Sequence, residues 1–512
     1  MMNEKWEEQF REQIHEFVGT IEKFDKGEID RKAYKGISGG FGSYAQHDPS
    51  KHMLRLRMAG GNLTEKRLEF LTEAVKDYGV ELMKLTTCET VQLHNLKAEQ
   101  VPVLMEKAIA SEIYSRGGGG DNPRNIMMSP LSGVQKGEAF DVKPYAEAAA
   151  EYLLSIAGEI HMPRKLKVAF SNGADDSVHS AFRDMGFMAN PDGTFTLRIA
   201  GGLGGGYKMG ILVDEHVQTT EILYYIRAMI ETFCQHGNYE NRAKARTRFM
   251  QETLGTDGLK EAFLENVAKV KEKGGLDLHV EAKPVTKKGS GEISGKRVVA
   301  QKQPGLYAVA YHPIGGCLPA GKPAELLTLV REIPDAECRI APHETIYIIN
   351  LTADEAKKVL EATNDGAQST FENSVACIGA AICQQGVRDS QAALRAAVEA
   401  VREAGIPDGA LPRICISGCP SSCSGHQVAA IGFQGAAKSV DGKPESAFKM
   451  FVGGSDKLGA AKFGEAGAVI LERDLPKFFV DLGKAVASRN MNWETWIVGH
   501  EDEFKAIVEK YA

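Results

Sequence analysis

The sequence predicts an α+β protein built twice, in the order A–B–A′–B′, around a pseudo-twofold axis. Three observations predict it. The stretch around His52–Leu96 realigns without gaps on the stretch around Leu306–Leu351. Gly60-Gly61 and Gly315-Gly316, Glu89-Thr90 and Glu344-Thr345, and Asn95-Leu96 and Asn350-Leu351 all stand 255 residues apart. That period marks duplicated domains, since solenoid repeats run to only ~20–50 residues. The segments after each copy also echo one another: Pro163-Arg164 recurs as Pro412-Arg413, and the Gly-Gly near Gly201 recurs near Gly453.

Each element follows from local pattern. Residues 1–48 read as an extension that begins helically and ends in the Gly-rich GISGGFGS. From residue 49 the alternation in MLRLRM predicts a strand, and Gly60-Gly61 a turn. EKRLEFLTEAVKDY then predicts a helix, ETVQLHNL a strand and AEQVPVLMEKAI a helix. Strand–helix–strand–helix is half of a ferredoxin-like unit, here residues 49–117. LYAVAY, AELLTLVREI, ETIYIINL and ADEAKKVLEAT repeat it within residues 300–368. Two such halves can pair into one domain. Residues 118–290 and 369–512 are the B and B′ α/β domains. Val213–Gly274 reads as largely helical, and the lysine-rich stretch Lys283–Arg297 as the loop crossing into the second half.

Composition narrows the function. A chain of 512 residues suggests two to four domains. A net charge of −7 argues against general nucleic-acid binding, so any anion site must come from locally clustered cations. No apolar run reaches the ~18 residues of a membrane span. The N-terminus MMNEKWEEQFREQIHEF lacks the apolar core of a signal peptide. The expectation is a cytoplasmic, monomeric protein without membrane or nucleic-acid partners.

Nine cysteines are too sparse for a disulfide scaffold, but they cluster. Cys377 and Cys383 lie in CIGAAIC, and Cys419 and Cys423 in GCPSSCSGH. The five-residue gap of the first pair fits poorly with zinc ribbons, whose ligand pairs are spaced by ~2–4 residues. Four thiolates can also hold an iron–sulfur cube, whose spacings vary more. Cys415, in the strand-like RICIS, reads as core.

CIGAAIC followed by GCPSSCSGHQVAAIGFQG resembles the cluster motif of siroheme-dependent sulfite and nitrite reductases, and the resemblance extends from about His52 to Gly459. It implies that Cys377, Cys383, Cys419 and Cys423 bind a 4Fe–4S cluster, with Cys423 also bridging to siroheme. It makes residues 118–290 the siroheme-binding domain and 369–512 the 4Fe–4S and siroheme-binding domain. It matches Arg55, Arg124, Lys165 and Lys167 to the residues that bind and protonate the substrate anion. Lys84, Thr86, Gln92, His94, Arg164, Arg242 and Arg246 match or resemble siroheme contacts, with Arg242 and Arg246 sharing one face of a helix. The repeat supplies an internal control. The counterparts of Arg55, Lys165 and Lys167 are Ala310, Ile414 and Ile416, while Cys377 has Met128 as its counterpart. One asymmetric site follows, with cations from the first half and the cluster from the second.

Two departures from the family pattern concern cofactor orientation. Cys88 stands where an arginine is usual, and Ser421 where asparagine is usual. GGLGGG lacks the spacing and the ribose-binding acid of a dinucleotide fingerprint. With no flavin or nicotinamide domain evident, ferredoxin or a similar donor is the expected partner. The leading expectation is six-electron reduction of sulfite to sulfide, because two lysines at 165 and 167 suit a partly dianionic substrate. The alternatives are a ferredoxin-dependent nitrite reductase forming ammonia, and a metal- or siroheme-binding carrier without reductase activity.

Overall fold

A computed structural model describes residues 2–512. It contains four five-stranded sheets arranged as two similar pairs. The first sheet orders the strands Ser43–Ala45, His52–Leu56, Val91–Leu96 and Leu82–Leu85, and its fifth strand, Cys317–Leu318, comes from the second copy. The matching sheet orders Val298–Ala300, Tyr307–Tyr311, Ile346–Leu351 and Glu337–Ile340, and borrows Asn62–Leu63 from the first copy. The exchange is symmetric in register. Cys317 pairs with Lys84 and Leu318 with Met83, while Asn62 pairs with Arg339 and Leu63 with Cys338. The glycine turns permit it: Gly61 and Gly316 have φ of 65° and 69°. A Cβ on Gly316 would lie 2.5 Å from Lys84 Nζ.

One apolar core serves both copies. Leu54, Leu68 and Leu93 of the first pack in the same cluster as Val309, Leu326 and Ile348 of the second. The N-terminal helix Met2–Asp25 buries Phe10, Ile14, Phe17 and Ile21 into this core, a stripe at helical spacing. The expected extension therefore packs as part of the domain. Its end also belongs to the first sheet, because Ser43–Ala45 pairs with His52–Leu54, so the boundary lies before position 49.

The other two sheets have the same strand order. One runs Met127–Met128, Val168–Ser171, Met185–Ala189, Thr194–Ile199 and Ile211–Gln218. The other runs Val375–Ala376, Ile414–Ser417, Ile431–Val440, Lys443–Val452 and Glu465–Leu471. In each, the first three strands are parallel and the rest antiparallel. Two details differ from the sequence reading. Ile211–Gln218 is a strand, so helix begins only at Ile222. The basic stretch is two short 3₁₀ turns, Arg242–Lys244 and Thr247–Phe249, so Arg242 and Arg246 do not share a helix face. Their different acidic partners, described below, account for the break.

Where the two copies meet, Lys84 and Glu344 form an ion pair with both side chains 3 % exposed. Burial raises the Glu344 carboxyl to about 7 while Lys84 pulls it down. Removing one member strands a buried polar group. Lys84→Met is expected to destabilise the fold by about 3–5 kcal/mol, whereas Lys84→Met with Glu344→Leu recovers most of that loss. Thermal unfolding of the three proteins checks this.

Candidate active site

The second half positions the cysteines at strand ends. Cys377 follows the strand Val375–Ala376, and Cys419 lies just past Ile414–Ser417, its parallel neighbour. The Cys377 amide donates to Ile416 O at 3.1 Å, fixing the two ends side by side. Gly418 N lies 3.1 Å from the Cys377 sulfur, as does the Ser390 hydroxyl, and Gln385 N lies 3.4 Å from the Cys383 sulfur. A Cβ on Gly418 would lie 2.4 Å from Arg388 O, so the turn admits only glycine without rearrangement. Burial pushes the Cys423 thiol up to about 12, with Cys377, Cys419 and Cys383 adding to the push and Lys165 opposing it. Cys377, Cys419 and Cys383 thus all act on Cys423. The Cys423 side chain is closely surrounded by protein yet open to solvent. Cys415 is buried in its strand, as expected for a core residue.

The first half positions the cations at the opposite, leading edge of its sheet. Leu166 pairs with Pro123, and Arg124 N donates to Leu166 O at 2.8 Å. Leu166 is buried in the core, so Lys165 and Lys167 on either side of it share the other face, beside Arg124. Arg55 and Arg124 are drawn together by one acceptor. Gly118 O takes hydrogen bonds from Arg55 Nη1 at 2.6 Å and Arg124 Nη1 at 2.8 Å, and Gly120 O takes one from Arg124 Nη2 at 2.8 Å. The Tyr44 hydroxyl accepts from Gly120 N at 2.6 Å and steadies this glycine loop. Burial and neighbouring Arg246, Arg124 and Lys167 hold Lys165 well below the ordinary lysine range. Burial also lowers Lys167, and it brings Arg124 down to about 10. An ammonium that releases its proton readily, beside guanidinium forks that stay charged, can bind an anion and protonate it. Lys165 also senses Cys423, so the two halves converge at this point.

The residues expected to contact siroheme divide into two groups. Lys84 does not face the site, because its ammonium is spent on Glu344 and Leu85 O between the copies. The Thr86 hydroxyl closes its own loop against Thr90 Oγ1 at 2.7 Å. Gln92 and His94 form a relay that ends on Arg55. The Gln92 amide oxygen accepts from Arg55 Nε at 2.9 Å and Nη2 at 2.6 Å, and its NH₂ donates to His94 Nε2 at 3.1 Å. His94 Nδ1 lies 3.2 Å from Gln46 Oε1. Burial, with Arg55 and Lys84 nearby, lowers His94 to about 3, so the ring is neutral and can hold this tautomer. Both residues therefore position a guanidinium.

The remaining cations stay at the cleft but are partnered. Arg164 and Arg242 share Asp121, at 2.9 and 2.8 Å, and Arg246 pairs with buried Asp184 at 2.9 Å. A fixed guanidinium still has N–H groups to offer. Arg124 Nε, Arg183 Nη2, Arg246 Nε and Arg248 Nη1 are buried without a hydrogen-bond partner. Unsatisfied buried donors around one cleft suit a group rich in carboxylates, as siroheme is. Four thiols at adjacent strand ends are the ligand type that a 4Fe–4S cluster takes, and among the described residues no three of them stand close enough in this structure to hold a metal ion.

Sequence reasoning missed Thr87, Arg183, Gln427 and the contact of GGLGGG with the cysteine loop. Thr87 Oγ1 donates to Cys423 O at 2.8 Å, tying the first half to the cysteine loop. Gly204 and Gln427 exchange two hydrogen bonds, at 3.1 and 3.2 Å. A Cβ on Gly204 would meet Ser421 O at 3.4 Å, so this glycine run lies against the cysteine loop. The repeat offered no signal for these contacts, which join residues of different copies. Ser421 itself is exposed on that loop.

The chain is similar to known proteins over most of its length. The family model described as "Nitrite/Sulfite reductase ferredoxin-like half domain" matches residues 44–111, and "Nitrite and sulphite reductase 4Fe-4S domain" matches residues 119–271. The ferredoxin–nitrite reductase of Synechococcus elongatus is 27 % identical over 485 residues, covering 91 % of each chain. The chloroplastic ferredoxin–nitrite reductase of Zea mays is 28 % identical over 431 residues, covering 80 % of this chain and 74 % of that one. The assimilatory ferredoxin-dependent nitrite reductase of Haloferax mediterranei is 26 % identical over 435 residues, covering 79 % and 74 %. Among solved structures, the Mycobacterium tuberculosis NirA protein superposes with a TM-score of 0.77 at 22 % identity, covering 98 % of this chain and 97 % of that one, and shares the fold. The chain belongs to the nitrite and sulfite reductase family and is an oxidoreductase of the type that carries siroheme and a 4Fe–4S cluster.

Proposed function

We propose that this protein reduces nitrite to ammonia with six electrons from a ferredoxin-type donor. The observation that carries the reading is the hydrogen bond from Thr87 Oγ1 to Cys423 O at 2.8 Å, which ties the half that bears Arg124, Lys165 and Lys167 to the cysteine loop. The similarity to three ferredoxin-dependent nitrite reductases over most of their lengths favours nitrite over the sulfite expected from the lysine pair. Sulfite remains a second reading, favoured by Lys165 and Lys167 standing together.

Cys377, Cys383, Cys419 and Cys423 would hold the cluster, and Cys423 is the one whose loop is tied to the first half. Arg164, Arg242, Arg246 and Arg248 would meet siroheme carboxylates. When bound, these groups supply the electron transfer. The chain's own residues do the rest. Arg55 and Arg124, sharing Gly118 O, present forked N–H groups to the substrate oxygens. Lys165, with its lowered proton affinity, gives a proton to an oxygen that leaves as water, and Lys167 stands ready beside it. The Gln46–His94–Gln92 relay keeps the Arg55 fork in place through these steps.

Three outcomes test the reading. Steady-state assays with reduced ferredoxin should give a higher kcat/KM for nitrite than for sulfite; the reverse preference would establish the second reading. Cys383→Ser should yield a folded protein that has lost most of its iron and its visible absorption, read by metal analysis and spectroscopy. Gln92→Leu should raise the nitrite KM about tenfold with a smaller change in kcat, because it loosens a binding fork and leaves the proton donors in place.

A further inference from the structure

A chain of net charge −7 needs a local excess of cations to attract an acidic electron carrier. One stretch supplies it. Residues 31–51 hold four cations, Arg31, Lys32, Lys35 and Lys51, against one acid, Asp48. Residues 377–388, which contain CIGAAIC, hold Arg388 and no acid.

The fold joins these two stretches at Cys383. His47 N donates to Ile382 O at 2.8 Å, and Gln384 Nε2 donates to Ala45 O at 3.0 Å, so both chain neighbours of Cys383 are bonded to the basic stretch. Arg31 Nη2 reaches the same segment through His47 O at 3.2 Å. Gln46 N donates to Lys51 O at 2.8 Å and brings that lysine beside it. Arg31 and Lys35 stand one turn apart on the helix Arg31–Ser38 and share a face. Arg388, at the far end of the cysteine loop, is fixed by hydrogen bonds to Ala436 O at 2.6 Å and Val387 O at 2.7 Å. His47, Ala381, Gln385 and Val387 are exposed, Val387 to 47 %, and Cys383 is half-buried among them. Cys419 by contrast is buried, and the loop of Cys423 is tied to the first half through Thr87.

Among the described residues, none of these five cations is in an ion pair. The second copy supplies a control. Its counterpart stretch, residues 286–306, is basic too, but there Lys287, Lys296 and Lys302 pair with Glu355, Asp408 and Glu138. These cations of the second copy find carboxylates within the chain, whereas those beside Cys383 are left open.

We propose that the surface around Cys383, carrying Arg31, Lys32, Lys35, Lys51 and Arg388 with the exposed Val387, is the docking site of an acidic iron–sulfur electron carrier. The inference rests on the reaction proposed above and deepens it by placing its donor. Electrons would enter one per encounter: the carrier is oxidised by one electron, the cluster that Cys383 helps to hold is reduced by one, and no bond forms or breaks. Unpaired cations steer and orient an acidic partner, and an exposed apolar side chain among them gives the contact a dry centre.

The test is binding of an acidic 2Fe–2S ferredoxin to the holoenzyme, read by calorimetry over a range of salt, with nitrite turnover followed in parallel. Lys32→Glu/Lys35→Glu/Lys51→Glu is expected to raise the ferredoxin Kd and KM by at least about tenfold and to flatten their salt dependence. The same variant reduced by methyl viologen, a small donor that needs no docking surface, should keep the wild-type kcat and nitrite KM. Lys273→Glu/Lys477→Glu/Lys484→Glu makes the same change in net charge at exposed positions on other helices, and should alter ferredoxin affinity by less than about twofold. Wild-type ferredoxin affinity in the first variant, or an equal loss in the second, would overturn the proposal. So would a wild type that does not bind the ferredoxin at low salt. If the wild type binds the ferredoxin yet reduces neither nitrite nor sulfite, the reductase reading fails while the affinities still decide the docking surface.

Discussion

Two borrowed strands fix the geometry on which everything else depends. Cys317–Leu318 completes the sheet of the first copy, and Asn62–Leu63 completes the sheet of the second. Neither copy can then rotate against the other without breaking backbone hydrogen bonds in both sheets. The buried Lys84–Glu344 pair lies on this seam and resists separation for a second reason, since parting it would leave each group unsatisfied in a low-dielectric interior. With the copies locked, the leading edge of one parallel strand pair faces the trailing edge of the other. The cations sit at the first edge and the cysteines at the second.

Duplication supplied two equivalent edges, and the sequence made them unequal. Arg55, Gln92 and His94 form a fixed guanidinium fork, whereas their counterparts Ala310, Tyr347 and Ile349 can form none. Lys165 and Lys167 face the cleft where Ile414 and Ile416 are buried in a strand. The structural members stayed paired. Gln46 and Gln301 each accept a hydrogen bond from the backbone of an asparagine, Asn95 or Asn350, whose φ is positive. Positions that hold the fold are thus common to both copies, whereas the cation positions belong to the first copy and the paired cysteines to the second.

Much of this was legible in the sequence. A constant offset exposed the duplication, alternating residues exposed the strands, and the cysteine spacing exposed two pairs that the fold brings to neighbouring strand ends. What stayed hidden has a common physical cause. Lys84 reads as a cleft cation until its partner is known, and that partner lies in the other copy. Gln92 and His94 alternate along a strand as cofactor contacts would, yet their hydrogen-bonding groups turn toward Arg55 and Gln46. Arg242 and Arg246 have helical spacing, but Asp121 and Asp184 draw them in different directions and the chain turns as 3₁₀ segments between them. Each of these features concerns a polar side chain whose partner is remote in sequence, which periodicity cannot see.

The central claim is that cations of the first half act on an anion held beside the cysteines of the second. Optical titration of the Arg55→Ala/Arg124→Ala holoenzyme with nitrite tests it most directly. The expected result is iron content and visible absorption like the wild type, with nitrite affinity reduced by at least about a hundredfold. Wild-type affinity in that variant would contradict the claim and place anion binding elsewhere in the molecule.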